Sequence, residues 1–279
     1  MTKTLEQPGS KQLFIDTDEA SESLKPPLKW AGGKRWLIPY LFPLWKGYSH
    51  NRLVEPFCGA LAVALSFTPK DALLNDINQH LINFYKWLKK GLVISLEMNN
   101  DEKMFYLYRK RFNTLTRENK SDTKEAAELF YYLNRTAYNG LCRFNNDGEF
   151  NVPFGRYKKI NYVRDFMSYK KKLSKWIFLY DDFENISVKD DDFIYADPPY
   201  DVEFTKYAKE DFTWDDQIRL AKWLSKKSCP VIISNQATAE IIKLYKKLGF
   251  KLRFLQAPRM INSSGDRTPA REVLALKNL

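Results

Sequence analysis

Apolar residues fall in short blocks along the chain, and the spacing within each block indicates the element it forms. Residues 52–57 and 71–74 are brief, nearly continuous apolar runs of the kind that form buried strands. Between them, residues 60–67 space as a helix, and residues 36–44 do the same nearer the N-terminus. Residues 28–34 suggest a further short strand entering a glycine turn. Strand, glycine turn, helix, strand and then an acidic residue is the opening of a doubly wound α/β domain.

The pattern then changes. Residues 79–134 are helical and dense in Lys, Arg, Tyr and Phe, and residues 138–159 form a loop or hairpin region rich in Asn, Gly, Arg and Phe. The α/β pattern resumes with strands at 176–180, 192–196 and 230–234 and helices at 215–226 and 240–248. Residues 251–257 pair with 272–277 as a closing hairpin. The predicted organisation is a polar mobile tail over 1–24, a catalytic domain from 25–80 and 165–279, and an inserted domain over 81–164.

Composition adds a partner class. The net charge is +11 over 279 residues, which favours a polyanion. Aromatic residues reach 15% and lie among the cations, which points to nucleic acid, where rings stack on bases and cations meet phosphates. Cys58, Cys142 and Cys229 are too few and too scattered for a disulfide framework and point to a reducing compartment. No CxxC occurs and there are only two histidines, so no metal site is expected. The N-terminal segment lacks the apolar stretch of a secretory signal, and no run is long enough to span a membrane. The expected location is the cytoplasm, at the nucleoid.

Four motifs carry chemistry. Asp197-Pro198-Pro199-Tyr200 follows a strand, at the end where open α/β sheets bind ligands. Its prolines fix φ and remove two donors, leaving a carboxylate, a free carbonyl and a ring together. That set suits an amino group on a flat heterocycle; the alternative is an ordinary turn with a strand-end tyrosine. Glu55-Pro56-Phe57-Cys58-Gly59 places a glycine at the first strand-to-helix turn, where a ligand can approach the backbone. Asp76 ends the next strand, where an acid accepts from ribose hydroxyls, or alternatively caps the following helix. Lys29-Trp30-Ala31-Gly32-Gly33-Lys34 joins an aromatic, a flexible turn and a lysine, but lacks P-loop spacing. The segments 138–143 and 151–159 mix Asn and Arg, which read adenine and guanine edges, with Tyr and Lys, which reach phosphates. A plain solvated basic loop is the alternative there.

Together LKWAGGK (28–34), VEPFCGA (54–60), LNDIN (74–78), YLNRTAYNGLCRFN (132–145), GEFNVPFGRYKK (148–159), ADPPY (196–200) and ISN (233–235) resemble the Dam-type family of DNA adenine-N6 methyltransferases, in family order. The resemblance runs from about residue 28 to 276. It implies a Rossmann-like S-adenosylmethionine-dependent methyltransferase sheet with a helical plus hairpin DNA-recognition insertion. The implied activity is methyl transfer from S-adenosyl-L-methionine to N6 of adenine in double-stranded DNA, within GATC, by base flipping and in-line transfer, by an enzyme monomeric in solution. Asp197, Pro198 and Tyr200 match catalytic positions. Trp30, Lys34, Glu55, Phe57, Gly59, Asp76 and Asp197 match cofactor positions. Lys29, Arg109, Asn139, Leu141, Arg143, Asn151, Pro153, Arg156 and Tyr157 match DNA-contacting positions.

Two departures stand out. Leu61 occupies a place where many members carry a second glycine, the FCGAL found here being similar to phage-type members, and the loop after Tyr200 is short. The alternatives are a DNA-binding protein that has lost catalysis, or methylation of another planar amine, such as N4 of cytosine, an RNA adenine or a protein glutamine. Aspartate as the first residue of the DPPY motif favours adenine.

Overall fold

The computed structural model describes residues 24–30, 32–200, 212–257 and 270–279. The expected tail up to residue 23 and the loop after Tyr200 lie outside the described residues; Leu24 packs partly buried on the core.

Seven strands build one sheet: β1 (Arg52–Glu55), β2 (Ala72–Asn75), β3 (Trp176–Leu179), β4 (Asp192–Ala196), β5 (Val231–Gln236), β6 (Lys251–Ala257) and β7 (Ala270–Lys277). Their order is β3-β2-β1-β4-β5-β7-β6. The first five are parallel, and β7 runs antiparallel between β5 and β6. The chain order reverses direction between β1 and β4, which opens a crevice at their C-terminal ends. β1, β2 and β4 are buried almost throughout, as parallel strands covered on both faces must be. The doubly wound expectation and the closing antiparallel pair are both observed.

Among the described residues of 28–34 the expected strand does not form. The Asn134 side chain donates to the Lys29 carbonyl at 2.8 Å and accepts from the Lys29 amide at 2.9 Å, taking the groups a sheet neighbour would need. The chain then turns at Gly32 into a short 3-10 helix over Lys34–Leu37, which leads into α1 (Ile38–Lys46). The helix expected from residue 60 begins later, as α2 (Ala62–Phe67), because Leu61 adopts left-handed φ 62° and ψ 25°.

The helical region resolves into α3 (Gln79–Lys90), α4 (Glu102–Arg117) and α5 (Lys124–Thr136). Asn78, Asp101 and Thr123 cap their N-termini, each side chain accepting from amides of the first turn. The chain continues through α6 (Met167–Lys172), α7 (Trp214–Ser225) and α8 (Ala239–Lys247). The segment over 138–159 pairs only at Phe144 with Phe150 and, through residue 137, at Ala137 with Phe154. Its turn is closed by Gly148 N–H donating to the Asn145 carbonyl at 2.9 Å.

One continuous core joins a face of the sheet to α3, α4 and α5, and a second lies under α7 and α8. Phe84, Tyr85, Phe105, Phe112, Phe130, Tyr131, Tyr132 and Phe150 are all buried. Much of the aromatic content attributed to base stacking is therefore core, where such rings supply large apolar areas.

Candidate active site and nucleic-acid interface

The C-terminal ends of β1, β2 and β4 bring Glu55, Asp76 and Asp197 to the wall of one cavity of about 670 Å³. Trp30, Lys34, Phe57, Gly59, Pro198 and Tyr200 line it as well. Every residue matched to a catalytic or cofactor position thus meets in a single space.

Asp76 is not the cap of α3, since Asn78 fills that place. Its carboxylate instead accepts from the Gly59 amide at 3.1 Å and the Asn78 amide at 3.0 Å. Burial outweighs these two donors and raises its pKa to about 6. Gly59 has φ +42°, and a Cβ there would stand 3.0 Å from the Trp30 indole nitrogen, so glycine sets the floor of the cavity. The Tyr85 hydroxyl fixes that floor from below by donating to the Gly59 carbonyl at 2.6 Å.

Glu55 is buried, and its Oε1 has no hydrogen-bond partner. Burial, then the nearby charge of Asp197, pushes its carboxyl well above the usual range against a donor at Ala64. Asp197 is raised too, by burial, while Lys34 and Ser234 oppose the shift. Lys34 Nζ lies 3.3 Å from Asp197 Oδ1 and 4.3 Å over the Tyr200 ring. Glu55, Asp76 and Asp197 thus line this part of the cavity with Lys34 and leave one Glu55 carboxyl oxygen unsatisfied, an environment suited to a cationic ligand with N–H or O–H donors.

The Asp197 turn is braced from behind. Ser234 Oγ donates to Asp197 Oδ1 at 2.8 Å and lies 2.8 Å from the Tyr195 hydroxyl. Gln217 Nε2 donates to the Pro199 carbonyl at 2.8 Å, and Asn235 donates to Gln217 at 3.0 Å. The segment ISN was visible in the sequence, but only the fold shows that Ser234 and Asn235 serve this turn.

Beside Phe57, a further wall of the cavity is built by residues that none of the sequence motifs marks. Phe57, Phe183 and Phe212 form an aromatic trio with centroids 5.4–6.0 Å apart. Arg219 grips Asp182 through two 2.8 Å hydrogen bonds, pairs with Glu184 and Asp216, and stacks 4.3 Å over Phe183. The only signal was Asp181-Asp182-Phe183 following β3, at the same sheet end as the other motifs.

The residues matched to DNA contacts gather around the loop that follows α5. Lys29 Nζ sits 3.7 Å over the Tyr157 ring and donates to the Arg135 carbonyl at 3.1 Å. Burial, helped by Arg135, lowers its pKa. Gly140, at φ +63°, lies under the Lys29 side chain; a Cβ there would fall 2.5 Å from Lys29 Cβ. Tyr157 donates to the Ala137 carbonyl at 2.9 Å, and the Pro153 carbonyl accepts from Tyr138 at 2.9 Å. Arg143 Nε donates to Asn151 Oδ1 at 2.9 Å, leaving the rest of an exposed guanidinium free to reach outward. Asn139, Leu141 and Arg156 are also exposed; Arg156 lies 3.6 Å from Glu102. Arg109 donates to the Val152 carbonyl at 3.2 Å and so holds the hairpin against α4.

Comparison with known proteins gives a consistent result. The sequence profile described as D12 class N6 adenine-specific DNA methyltransferase matches residues 30–261. A type II methyltransferase of Methanocaldococcus jannaschii, M.MjaIII, is 36% identical over 280 residues, covering 88% of this chain and 95% of that protein. The retron Ec67 DNA adenine methylase of Escherichia coli is 35% identical, covering 89% of this chain and 90% of that protein. The DNA adenine methylase of Escherichia coli (strain K12) is 35% identical, covering 89% and 94%.

Proposed function

Since the chain belongs to the D12 class of N6 adenine-specific DNA methyltransferases, we propose that it methylates adenine within GATC by drawing the base out of the duplex into the cavity beside Asp197. The observation that carries this reading is the convergence of Asp197, Pro198, Tyr200, Lys34, Glu55 and Asp76 on one cavity at the sheet switch point.

The cavity fits S-adenosylmethionine. Its buried carboxyls suit a sulfonium and an ammonium, the unpartnered Glu55 oxygen suits an N–H donor, and Asp76 keeps lone pairs for ribose hydroxyls. Phe57, Phe183 and Phe212 suit a flat purine. Bound there, the cofactor supplies an electrophilic methyl whose S–C bond breaks with the electron pair kept on sulfur.

The exocyclic nitrogen of adenine is a weak nucleophile because its lone pair is delocalised into the ring. Extruding the base costs about a few kcal/mol. Tyr200 then covers its face, while Asp197 and the Pro198 carbonyl each accept one N6 hydrogen and favour a pyramidal nitrogen. As the N–C bond forms, the proton lost from N6 passes to the Asp197 carboxylate and on to water. Positioning supplies much of the acceleration.

Residues 81–164 carry target choice in this reading. Arg143, fixed by Asn151, reads a base edge, with Asn139, Leu141 and Pro153 beside it. Lys29, Arg109, Arg156 and Tyr157 position the duplex. The test is methyl transfer from labelled S-adenosylmethionine to duplexes carrying GATC or its single-base variants, followed by digestion to nucleosides. N6-methyladenine confined to GATC is expected; methyl on cytosine, or equal rates on all variants, overturns the reading.

A further inference from the structure

Away from the cavity, at the N-terminal end of β3, the surface is strongly basic. Trp176, the first residue of β3, accepts at its carbonyl from Lys89 Nζ at 2.8 Å and donates from its indole to the Pro69 carbonyl at 3.1 Å. These bonds gather Lys70, Lys89 and Lys175 around one point. Gly91, at the end of α3, packs against Met167 and Lys170 of α6, which adds Lys90, Lys170 and Lys171. Among the described residues none of these six lysines takes part in an ion pair. Lys70, Lys90, Lys170, Lys171 and Lys175 are exposed.

α3 carries this surface away from the cavity. α3 begins beside Asp76 and Asn78 at the cavity and runs 12 residues, about 18 Å, to Lys90. α3 and α6 both end here, and their last turns place lysines where the helix dipole favours cations. That effect needs one or two charges per helix end, not six on one surface. Unpaired cations gathered on one surface complement a duplex, which carries one negative charge per about 1.7 Å of axis.

We propose that this lysine surface is a second DNA-binding site, which holds a separate duplex segment by its phosphates while the cavity side engages the target. An enzyme that acts on long DNA gains by it a tether that survives release of the methylated site. The site carries no base-reading group, so it is indifferent to sequence.

The test uses the full chain with Lys90, Lys170, Lys171 and Lys175 changed together to Gln. Mass photometry with short GATC duplexes should show two duplexes per wild-type chain and one per variant chain. Single-turnover methylation of one short duplex should be unchanged in the variant, whereas the number of sites methylated per encounter with long DNA should fall several-fold. Unchanged methylation on the short duplex also separates failure of this proposal from failure of the assigned activity. A single duplex per wild-type chain overturns the proposal. So does a variant that still binds two, or one whose short-duplex methylation falls with its affinity, since the surface then belongs to the substrate path. Displacement of the second duplex by poly-glutamate at matched charge as readily as by DNA assigns the surface to an acidic protein and also overturns it.

Discussion

Ser234 holds Asp197 from the side opposite the cavity, its hydroxyl donating to Oδ1 at 2.8 Å. Because the Ser234 hydrogen goes to Asp197, the hydrogen in the 2.8 Å contact with Tyr195 comes from the tyrosine, and the chain of donors runs toward the carboxylate. Such donors favour the charged form of Asp197, against its burial. Ser234→Ala should therefore raise the Asp197 pKa and move the acid limb of the kcat profile to higher pH, with Ser234→Thr restoring it. A uniform loss of activity with an unmoved profile would assign Ser234 to packing alone.

Asp197→Ala should abolish methyl transfer while leaving affinity for duplex DNA within a few-fold of wild type, since the side chain faces the cavity and contacts no recognition residue. Gel shift beside a methylation assay checks both. Turnover near the wild-type rate would remove Asp197 from the chemistry.

With Asp76 in the proposed ribose-binding role, cofactor affinity should depend on pH. Its carboxyl titrates at about 6, and ribose hydroxyls donate to the ionised form. Affinity should be level above pH 6 and fall about tenfold per unit below it. Asp76→Asn should bind weakly and without that slope, as calorimetry from about pH 4.5 to about pH 8 would show. The same raised pKa has the opposite sign for folding: the native state binds the proton more tightly than the unfolded chain, so this group's contribution falls as pH rises from about 4 to 6 and its full cost is present above that.

Gly140→Ala should weaken DNA binding without touching the cavity. The left-handed backbone alone costs about 1 kcal/mol for a residue with Cβ. The added methyl also lifts Lys29 from the Tyr157 ring. A loss of duplex affinity with unchanged cofactor affinity is the expected pair of results; equal losses of both would mean that the change spreads through the fold.

Arg143→Ala should relax the choice at one base pair, at a cost of about 1–3 kcal/mol in discrimination there. Asn151→Ala should do the same more weakly, by freeing the guanidinium it holds. Lys158 and Lys159 are exposed, and changing both to Ala should weaken all duplexes alike and reduce the salt slope by about 2. Methylation rates on GATC and its variants at several salt concentrations separate these effects; proportional slowing at every site in Arg143→Ala would place that residue among the phosphate contacts.

The parts of this site that sequence displays are those fixed by local backbone. Asp76 and Asp197-Pro198-Pro199-Tyr200 each sit one step beyond a strand and Glu55 ends one, and the parallel register carries them to a common edge. What sequence hides are partners supplied from far along the chain: Ser234 and Gln217 behind Asp197, and Arg219 across from Asp182. The misread strand over 28–34 has the same cause. A buried Asn134 more than a hundred residues away claims the backbone of Lys29. Leu61 shows the reverse case, where an odd residue has a readable cause. Its left-handed backbone explains why glycine would suit that position, and its complete burial explains how leucine is kept there.

Asn134 fixes Lys29 from both sides, and the next residue, Trp30, already lies against Gly59 in the cavity. One side chain thus belongs to the loop proposed to meet the duplex and its neighbour to the floor of the cavity. A single peptide unit acts as the gauge block between the two surfaces: a shift of Lys29 is passed directly to the indole on the cavity floor, and Asn134, by holding both sides of Lys29, keeps the two in register.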